Sequence, residues 1–496
     1  MPRTGGSAAK MISLATREPA SEVYKVSPIP VPLRDWAQLD SLVGEARVAA
    51  LRVAADDVRQ KLDGRVIWNV SSTAEGGGVA EMLHVLVGYC LGLGFDVRWL
   101  VMSGDGEFFA ITKRLHNRLH GASGDGDDLG PAKTSHYAKV TAETAQRVLD
   151  FVRPGDIVLL HDPQTAGMAT ILQEAGARVV WRCHVGREER NEWTEQAWSL
   201  LRGHLGTCEA FVFSVSEYVP PWMDQAKVWI IPPSIDPFSP KNEEIDGDAV
   251  SGILHRIGLF GDGSAAPPVP FTRRDGTTGY VSRHASIVMT GKSELGPHIP
   301  LVVQVSRWDR LKDMAGVMQG FADHVPEEVE AHLALVGPSP NDVSDDPEEL
   351  EVYRECVAAW NGLPDVVRRR VHLVALPMDD MDENAAMVNA IQRHATVVVQ
   401  KSLAEGFGLT VAEAMWKSRA VIASGVGGIV KQVVPGTGIL LAVPTDLRGF
   451  GEILVELLTH PEEIALLGAQ ARQHVLDEFV GDRHLGSYAK LIASLL

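Results

Sequence analysis

The sequence predicts an α/β protein made of two doubly wound domains. Three observations lead there. The chain has 496 residues, and one hydrophobic core stops growing at about 250–300 residues, so two cores and a link are expected. An apolar run, a glycine turn and a helical pattern follow one another in both halves, at 65–91 and again at 396–417. Two further apolar runs, 156–160 and 178–181, lead into His161 and His184. Both imidazoles then stand at one rim of a parallel sheet, where such folds bind their ligands. No tandem repeat at a fixed period is visible.

Residues 1–62 read as an N-terminal extension. Its Gly/Ser/Ala-rich start is expected to be mobile. Residues 35–61 have helical periodicity and could pack outside the first domain or between subunits. The first domain spans 63–235: a strand at 65–70, the glycines Gly76, Gly77 and Gly78, a helix at 79–91 and a strand at 96–102. This is not G-x-G-x-x-G, and no acidic residue closes the second strand, so a nicotinamide site is poorly supported. Residues 104–121 carry Lys113, His116 and Asn117 beside Phe108 and Phe109, and by themselves also fit a helix with a solvated basic face. The strand at 156–160 ends at His161, Asp162, Pro163 and Gln164, and the one at 178–181 at Arg182, Cys183 and His184. Residues 236–298 are rich in Gly, Pro, Asp and Ser and read as linker plus irregular insertion, long for a plain linker. The second domain spans 299–475, with strands at 300–305, 332–336 and 371–376, the last running into Pro377 and Met378. Helices run from about 447 to the end.

The turn after the strand at 396–399 holds Glu405, Gly406, Phe407 and Gly408, and a helix follows from Leu409. Bare N–H groups at a helix start favour an anion such as phosphate, and glycines let it approach the backbone. Glu405 and Glu413, eight residues apart, are acceptors suited to a neutral, hydroxyl-rich ligand. An isolated pair at this spacing is more often a surface turn residue and a solvated helix residue; the strand–turn–helix context favours function. Lys417, one turn after Glu413, could pair with it. Arg307 and Lys312, after the strand at 300–305, are cations suited to a diphosphate, though they also fit a pair of surface charges.

Composition bounds the partners. Lys plus Arg is 46 and Asp plus Glu 64, a formal net charge of −18, which argues against nucleic acid and against an anionic membrane surface. No apolar run reaches the ~18 residues a membrane span needs, and the N-terminus lacks the apolar core of a secretory signal. Cys90, Cys183, Cys208 and Cys356 are scattered, as in a large cytoplasmic enzyme and unlike a disulfide framework or zinc site. Asp125-Gly126-Asp127 has the spacing of a carboxylate metal site, but no strand leads into it, and it reads as a solvated turn.

EGFGLTVAEAMWK followed by VGGI resembles the donor-site signature of retaining glycosyltransferases of GT-B family 4, the sucrose- and glycogen-synthase-like group. GGGVAEMLH, FFAITKRLHNRLHG, HDPQ, WRCHVG and QVSRWDRLKD are similar to its trehalose-synthase branch, and the resemblance covers residues 66–496. It implies a GT-B architecture, two Rossmann-like domains facing across a cleft, with the last helix, within 476–496, crossing back to the first domain. It implies movement of glucose between a nucleoside diphosphate and glucose, to make or break trehalose. By resemblance the catalytic group is His184, Glu405, Arg307 and Lys312, with Arg307, Lys312 and the N–H groups of 406–408 stabilising the departing diphosphate. Glu405 would hold the donor hexose, Glu413 the ribose, and His184 would lie beside the anomeric centre. Gly77, Gly78, Leu376, Met378, Gly406, Phe407, Gly408 and Leu409 would complete the donor site, the loop after residue 376 holding the base through its backbone. Lys113, His116, Asn117, His161, Asp162 and Gln164 would border the acceptor.

The family's front-face mechanism, in which the leaving phosphate accepts the acceptor's proton, needs no carboxylate nucleophile. No tightly bound cofactor or protein-bound metal is implied, though free Mg²⁺ can assist the nucleotide. The sequence does not give the oligomeric state; a homodimer is compatible with it. A retaining trehalose phosphorylase using inorganic phosphate is the nearest rival, separated by its lack of need for a nucleotide. A non-catalytic sugar- or nucleotide-binding regulatory protein is the rival from another class, recognised by binding without turnover. A glycosidase fits poorly, because the βα pattern suggests no acid/base carboxyl pair across a barrel.

Overall fold

A computed structural model of the chain describes residues 24–74, 77–261, 266–291, 295–340 and 347–496. The start read as mobile and Gly76 lie outside the described residues. The first sheet comprises β1 (Val26–Ile29), β2 (Ile67–Ser71), β3 (Val97–Met102), β4 (Ile157–His161), β5 (Arg178–Cys183), β6 (Ala210–Phe213) and β7 (Val228–Ile230). Its order is β1-β3-β2-β4-β5-β6-β7, parallel except for β1, which runs antiparallel along β3. β2, β4 and β6 are buried at every position. Helices cover both faces of such a sheet, so its central strands read as unbroken apolar runs instead of alternating. Three helices of this half matter below: α1 (Glu45–Leu62), α2 (Gly77–Gly92) and α3 (Gly106–Leu119).

The segment 236–298 is more ordered than its composition suggests. It holds α4 (Gly247–Arg256), an antiparallel hairpin of β8 (Val269–Thr272) and β9 (Thr278–Val281), and β10 (Ser286–Val288). Asp275-Gly276, with Gly276 at φ +82°, makes the hairpin turn, a strong local hairpin signal that average composition hides. β10 is the antiparallel edge of the second sheet, completed by β11 (Leu301–Val305), β12 (His332–Pro338), β13 (Val371–Leu376), β14 (Val397–Gln400), β15 (Ala420–Ser424) and β16 (Ile439–Leu441). The order is β10-β13-β12-β11-β14-β15-β16. Its helices include α5 (Met381–His394), α6 (Leu409–Trp416) and, last in the chain, α7 (Gly481–Leu495).

Each sheet reverses its winding once, at β2/β4 in the first and β11/β14 in the second. A crevice opens beyond the strand ends at such a point. α7 leaves the second sheet and packs on the first. Leu485, Tyr488, Leu491 and Ile492 share one buried cluster with Leu51 and Val58 of α1 and Leu86 of α2. Arg47 of α1 clamps Asp482 with two hydrogen bonds of 2.8 and 2.7 Å. The N-terminal extension therefore packs against the chain's own last helix, and β1 belongs to the first sheet. Leu491 is fully buried in this seam. Leu491→Ala is expected to destabilise the first half by about 2–5 kcal/mol, read as a lower denaturant midpoint.

Candidate active site

The crevices of the two sheets face each other. On the first, a hydrogen-bonded chain crosses the ends of β2, β4 and β5. His161 Nε2 lies 3.1 Å from Asn69 Oδ1, and His161 Nδ1 lies 3.1 Å from His184 Nε2. With the Asn69 oxygen as acceptor, His161 carries its proton on Nε2 and His184 donates from its own Nε2. His184 Nδ1 then accepts from Arg182 Nε at 3.3 Å. Burial lowers the pKa of His161 to about 3 and that of His184 well below the ordinary imidazole value, with Arg182 adding to both. The pair is therefore neutral at physiological pH. Arg182 is wholly buried and donates to the Tyr488 hydroxyl of α7 (2.9 Å) and the Ile231 carbonyl (3.0 Å).

His161 is 1 % exposed and stands behind His184; it does not border an acceptor as expected, because Asn69 and His184 take both of its ring nitrogens. Asp162 sits at φ +63°, a conformation L residues rarely hold. Its carboxylate accepts the His184 backbone N–H at 2.7 Å, and burial pushes its pKa up to about 7. Gln164 presents a buried Oε1 with no partner among the described residues.

On the second sheet, the loop after β11 lies against the loop after β14. Gln304, at the end of β11, donates to the Lys312 carbonyl (2.6 Å) and accepts from Lys401 N (3.0 Å). Lys401, 1 % exposed, is ion-paired with Asp313. Lys312 is thereby held with its ammonium on Glu405, which Ser402 Oγ also approaches at 3.3 Å. Glu405, with no cation beside it in the sequence, thus has one from 93 residues away. Arg307 stands at the rim, its guanidinium 3.5 Å from Asp309 and 3.8 Å from Glu349. Gly408, at φ +80°, is the left-handed residue that starts α6. The Phe407 side chain is turned into the core against Phe479, and its carbonyl accepts from Gln432. The Leu376 carbonyl accepts from Ser339 N (2.7 Å) and that of Pro377 from Asn384 (3.0 Å).

Glu413 is 3 % exposed. The expected pairing of its carboxylate with Lys417 does not occur. Lys417 Nζ donates to the Glu413 backbone carbonyl (3.2 Å), Asn242 Oδ1 and Gln392 Oε1 (2.9 Å each). The carboxylate meets Lys241 at 3.2 Å instead, and Lys241 also meets Glu81 of α2 at 3.2 Å. Glu413 Oε2 is buried with no partner among the described residues. Next to this bridge a cavity of about 360 Å³ separates α2 from the start of α5; Glu81, His84 and residues 379–382, the four that follow Met378, line it.

The halves touch at the turn. A Cβ on Gly406 would stand 2.7 Å from the His184 carbonyl oxygen, and the Tyr218 hydroxyl lies 2.9 and 2.7 Å from the carbonyl oxygens of Glu405 and Gly406. Gly78 on α2 approaches Leu409 on α6, a Cβ there being 3.7 Å from Leu409 Cδ1. α3 carries Lys113, His116 and Asn117 to the same cleft: the charges of Lys113, Arg307 and Lys312 add to burial in holding His116 neutral. His120 lies beside them, 6 % exposed, its Nδ1 buried without a partner among the described residues, its pKa lowered by burial to about 4. Asn69, Arg182, Tyr218, Lys241, Lys401 and His120 were not singled out by sequence reasoning. His120 and Arg182 lie within the FFAITKRLHNRLHG and WRCHVG blocks, and Asn69 and Arg182 at strand ends, so position alone hinted at them; Tyr218, Lys241 and Lys401 lie in none of those blocks. The Asp125–Asp127 loop is structural: Arg114 takes Asp125 at 2.6 Å and Asp127 at 3.1 Å. Among the described residues no group of three or more His, Cys, Asp or Glu could hold a metal ion.

Two Rossmann-like sheets facing each other across a cleft, with a left-handed glycine turn and helix start beside Glu405 and Glu413 on the second, define a glycosyltransferase of GT-B architecture. Solved structures share this fold: sucrose-phosphate synthase from Thermosynechococcus elongatus (TM-score 0.60, 18% identity, 87% of this chain and 99% of that one) and α,α-trehalose 6-phosphate synthase from Burkholderia multivorans (0.62, 13%, 87% and 98%). Residues 69–220 match the family profile "Trehalose synthase, N-terminal domain", and residues 299–460 match "Glycosyl transferases group 1". The chain is 32% identical to the trehalose synthase of Pyrococcus horikoshii, over 95% of its own length and 99% of that protein. It is 34% identical to the one from Rubrobacter xylanophilus, over 88% and 92%. It belongs to the trehalose synthase family. A trehalose phosphorylase from Pleurotus pulmonarius matches at 26%, over 90% of this chain but 59% of that protein.

Asp162 gives a pH test of the site. Its folded pKa is raised from 3.8 to about 7, so the native state holds the proton more tightly than the unfolded one, and the carboxyl costs stability as pH climbs from about 4 to 7. Asp162→Asn keeps the acceptor for His184 N–H. Its stability relative to the parent chain is expected to be level near pH 4 and to rise towards pH 7, measured by urea unfolding at each pH.

Proposed function

We propose that this protein is a retaining glucosyltransferase that moves glucose between a nucleoside diphosphate and glucose, making or breaking trehalose. The observation that carries the proposal is the meeting of Lys312, Glu405 and the start of α6 with neutral His184 across the cleft. Lys312, Arg307 and the N–H groups opening α6 stabilise charge on the departing diphosphate. Glu405 accepts from hydroxyls of the donor hexose, and Glu413 offers Oε2, which has no partner among the described residues, to the ribose. The loop through Leu376 and Met378, with the cavity beyond it, takes the base. A neutral imidazole at His184 adds no positive charge beside an oxocarbenium-like centre. The bond from the anomeric carbon to the diphosphate oxygen breaks, the acceptor oxygen bonds on the same face, and its proton passes to the leaving phosphate. Lys113, His116, Asn117 and Gln164 face the acceptor, and Asp162 positions His184 through its backbone. Free Mg²⁺ accompanies the nucleotide. The free cysteines, three of them buried, fit the reducing cytoplasm. No helix among the described residues is long and apolar enough to cross a membrane. The near-complete coverage of the synthase relatives, against 59% of a phosphorylase, favours a nucleotide over inorganic phosphate.

Incubation with trehalose plus ADP, UDP, GDP or phosphate, each alone and read by NMR, tests this. Nucleotide-dependent nucleoside diphosphate glucose and free glucose are expected, with the α configuration kept. Glucose 1-phosphate from phosphate alone would move the protein to the phosphorylases, and binding without turnover to a regulatory role. Within the reaction, Lys312→Ala is expected to lower kcat by about 10²–10³, the usual cost of one group aimed at developing charge. Glu405→Ala should likewise cost far more in turnover than in thermal stability; near-normal turnover would refute its assignment.

A further inference from the structure

A second cavity, of about 500 Å³, lies at the opposite edge of the second sheet, where β11, β14 and β15 begin. All titratable residues that line it among the described residues are basic: His298, Arg393, His394, Lys417 and Arg419. This is unusual in a chain of net charge −18. Acidic neighbours offset them only in part: Glu243 and Glu244 act on Arg393, and Glu413 and Glu244 on Lys417. Lys417 donates to two side-chain amide oxygens and a backbone carbonyl. Arg419 donates to the carbonyls of Lys417 (2.9 Å) and Ala395 (3.1 Å). Arg393 pairs with Glu244 at 2.7 Å, but Arg472 shares that carboxylate at 2.7 Å. His394 Nε2 is buried with no partner among the described residues, and Phe260 packs edge-on against its ring. Burial and the Arg393 charge both lower the pKa of Arg419, the mark of cations crowded without counter-charge.

We propose that this cavity is a second anion site, taking a small phosphate-bearing metabolite. Its volume is in the range of small-molecule sites, about 300–1,000 Å³. The guanidinium of Arg419 supplies planar donors for phosphate oxygens, and Phe260 and Val250 an apolar wall for a carbon skeleton. The site also touches the donor machinery. Lys417 directly follows α6, which carries Glu413, and its partner Asn242 adjoins Lys241, the cation on Glu413. The eight residues of α6 set its phosphate-suited start about 12 Å from Lys417, with Glu413 between them. The anion site stands apart from the glucosyl-transfer reading.

Equilibrium dialysis of the full chain against labelled inorganic phosphate tests the site. Phosphate also binds cations in the cleft, so the decisive background is Arg307→Ala with Lys312→Ala. One phosphate per chain should remain there, and Ser251→Glu, which puts a carboxylate on the α4 wall, should weaken it at least tenfold. Arg419→Gln should do the same, and thermal unfolding checks that each variant folds; if Arg419→Gln does not, Ser251→Glu decides alone. No phosphate bound in the cleft-deleted background, or binding indifferent to Ser251→Glu, would overturn the proposal. Competition by glucose 6-phosphate and by a nucleoside monophosphate then separates the two sources of the phosphate group. Competition by neither would overturn the metabolite class.

Discussion

The cleft depends on one contact: the turn at 405–408 pressed against the carbonyl of His184. It is an approach of backbone to backbone, and it tolerates no side chain. A Cβ at Gly406 would meet the His184 oxygen, and one at Gly427 would overlap the Glu405 carbonyl and crowd the Tyr218 hydroxyl. That hydroxyl, rising from the first half after β6, binds the carbonyls of Glu405 and Gly406. Glycines here are a requirement of distance as much as of conformation. Because the two crevices are held this near, an ammonium and a helix start from one sheet stand close to an imidazole from the other.

Charge buried around the contact is paired across long stretches of chain. Lys241 bridges Glu81 and Glu413, Lys401 holds Asp313, and Lys312 holds Glu405. Such pairs contribute little net stability, since desolvation offsets much of the attraction, but breaking one leaves a costly lone charge. Their effect is geometric. Glu405 and Glu413 each keep a fixed cation and one direction. The histidines are handled in the opposite way: burial keeps His161, His184 and His120 neutral, and hydrogen bonding orients the first two.

The halves are also joined mechanically. α7 belongs to the second half by sequence and to the first by packing, and its Tyr488 reaches Arg182, which in turn touches His184. The last helix of the chain therefore reaches the His184 imidazole through Tyr488 and Arg182.

Much of this was legible in the sequence. Parallel strands buried on both faces leave unbroken apolar runs, so the βα units showed as they are. Glycine turns before helices marked the crevices, and the carboxylates, cations and histidines lying near them in sequence followed. The hairpin at 269–281 was lost in the average composition of its segment, although Asp275-Gly276 announced it locally. What only the tertiary structure decided is pairing at a distance. Nothing in the chain could tell that Glu413 takes Lys241 instead of Lys417, that His161 stands behind His184, or that Tyr218 and Gly406 meet. Local sequence encodes periodicity and turn chemistry, which act over a few residues; which buried charge finds which partner is settled by how two sheets and a returning helix pack.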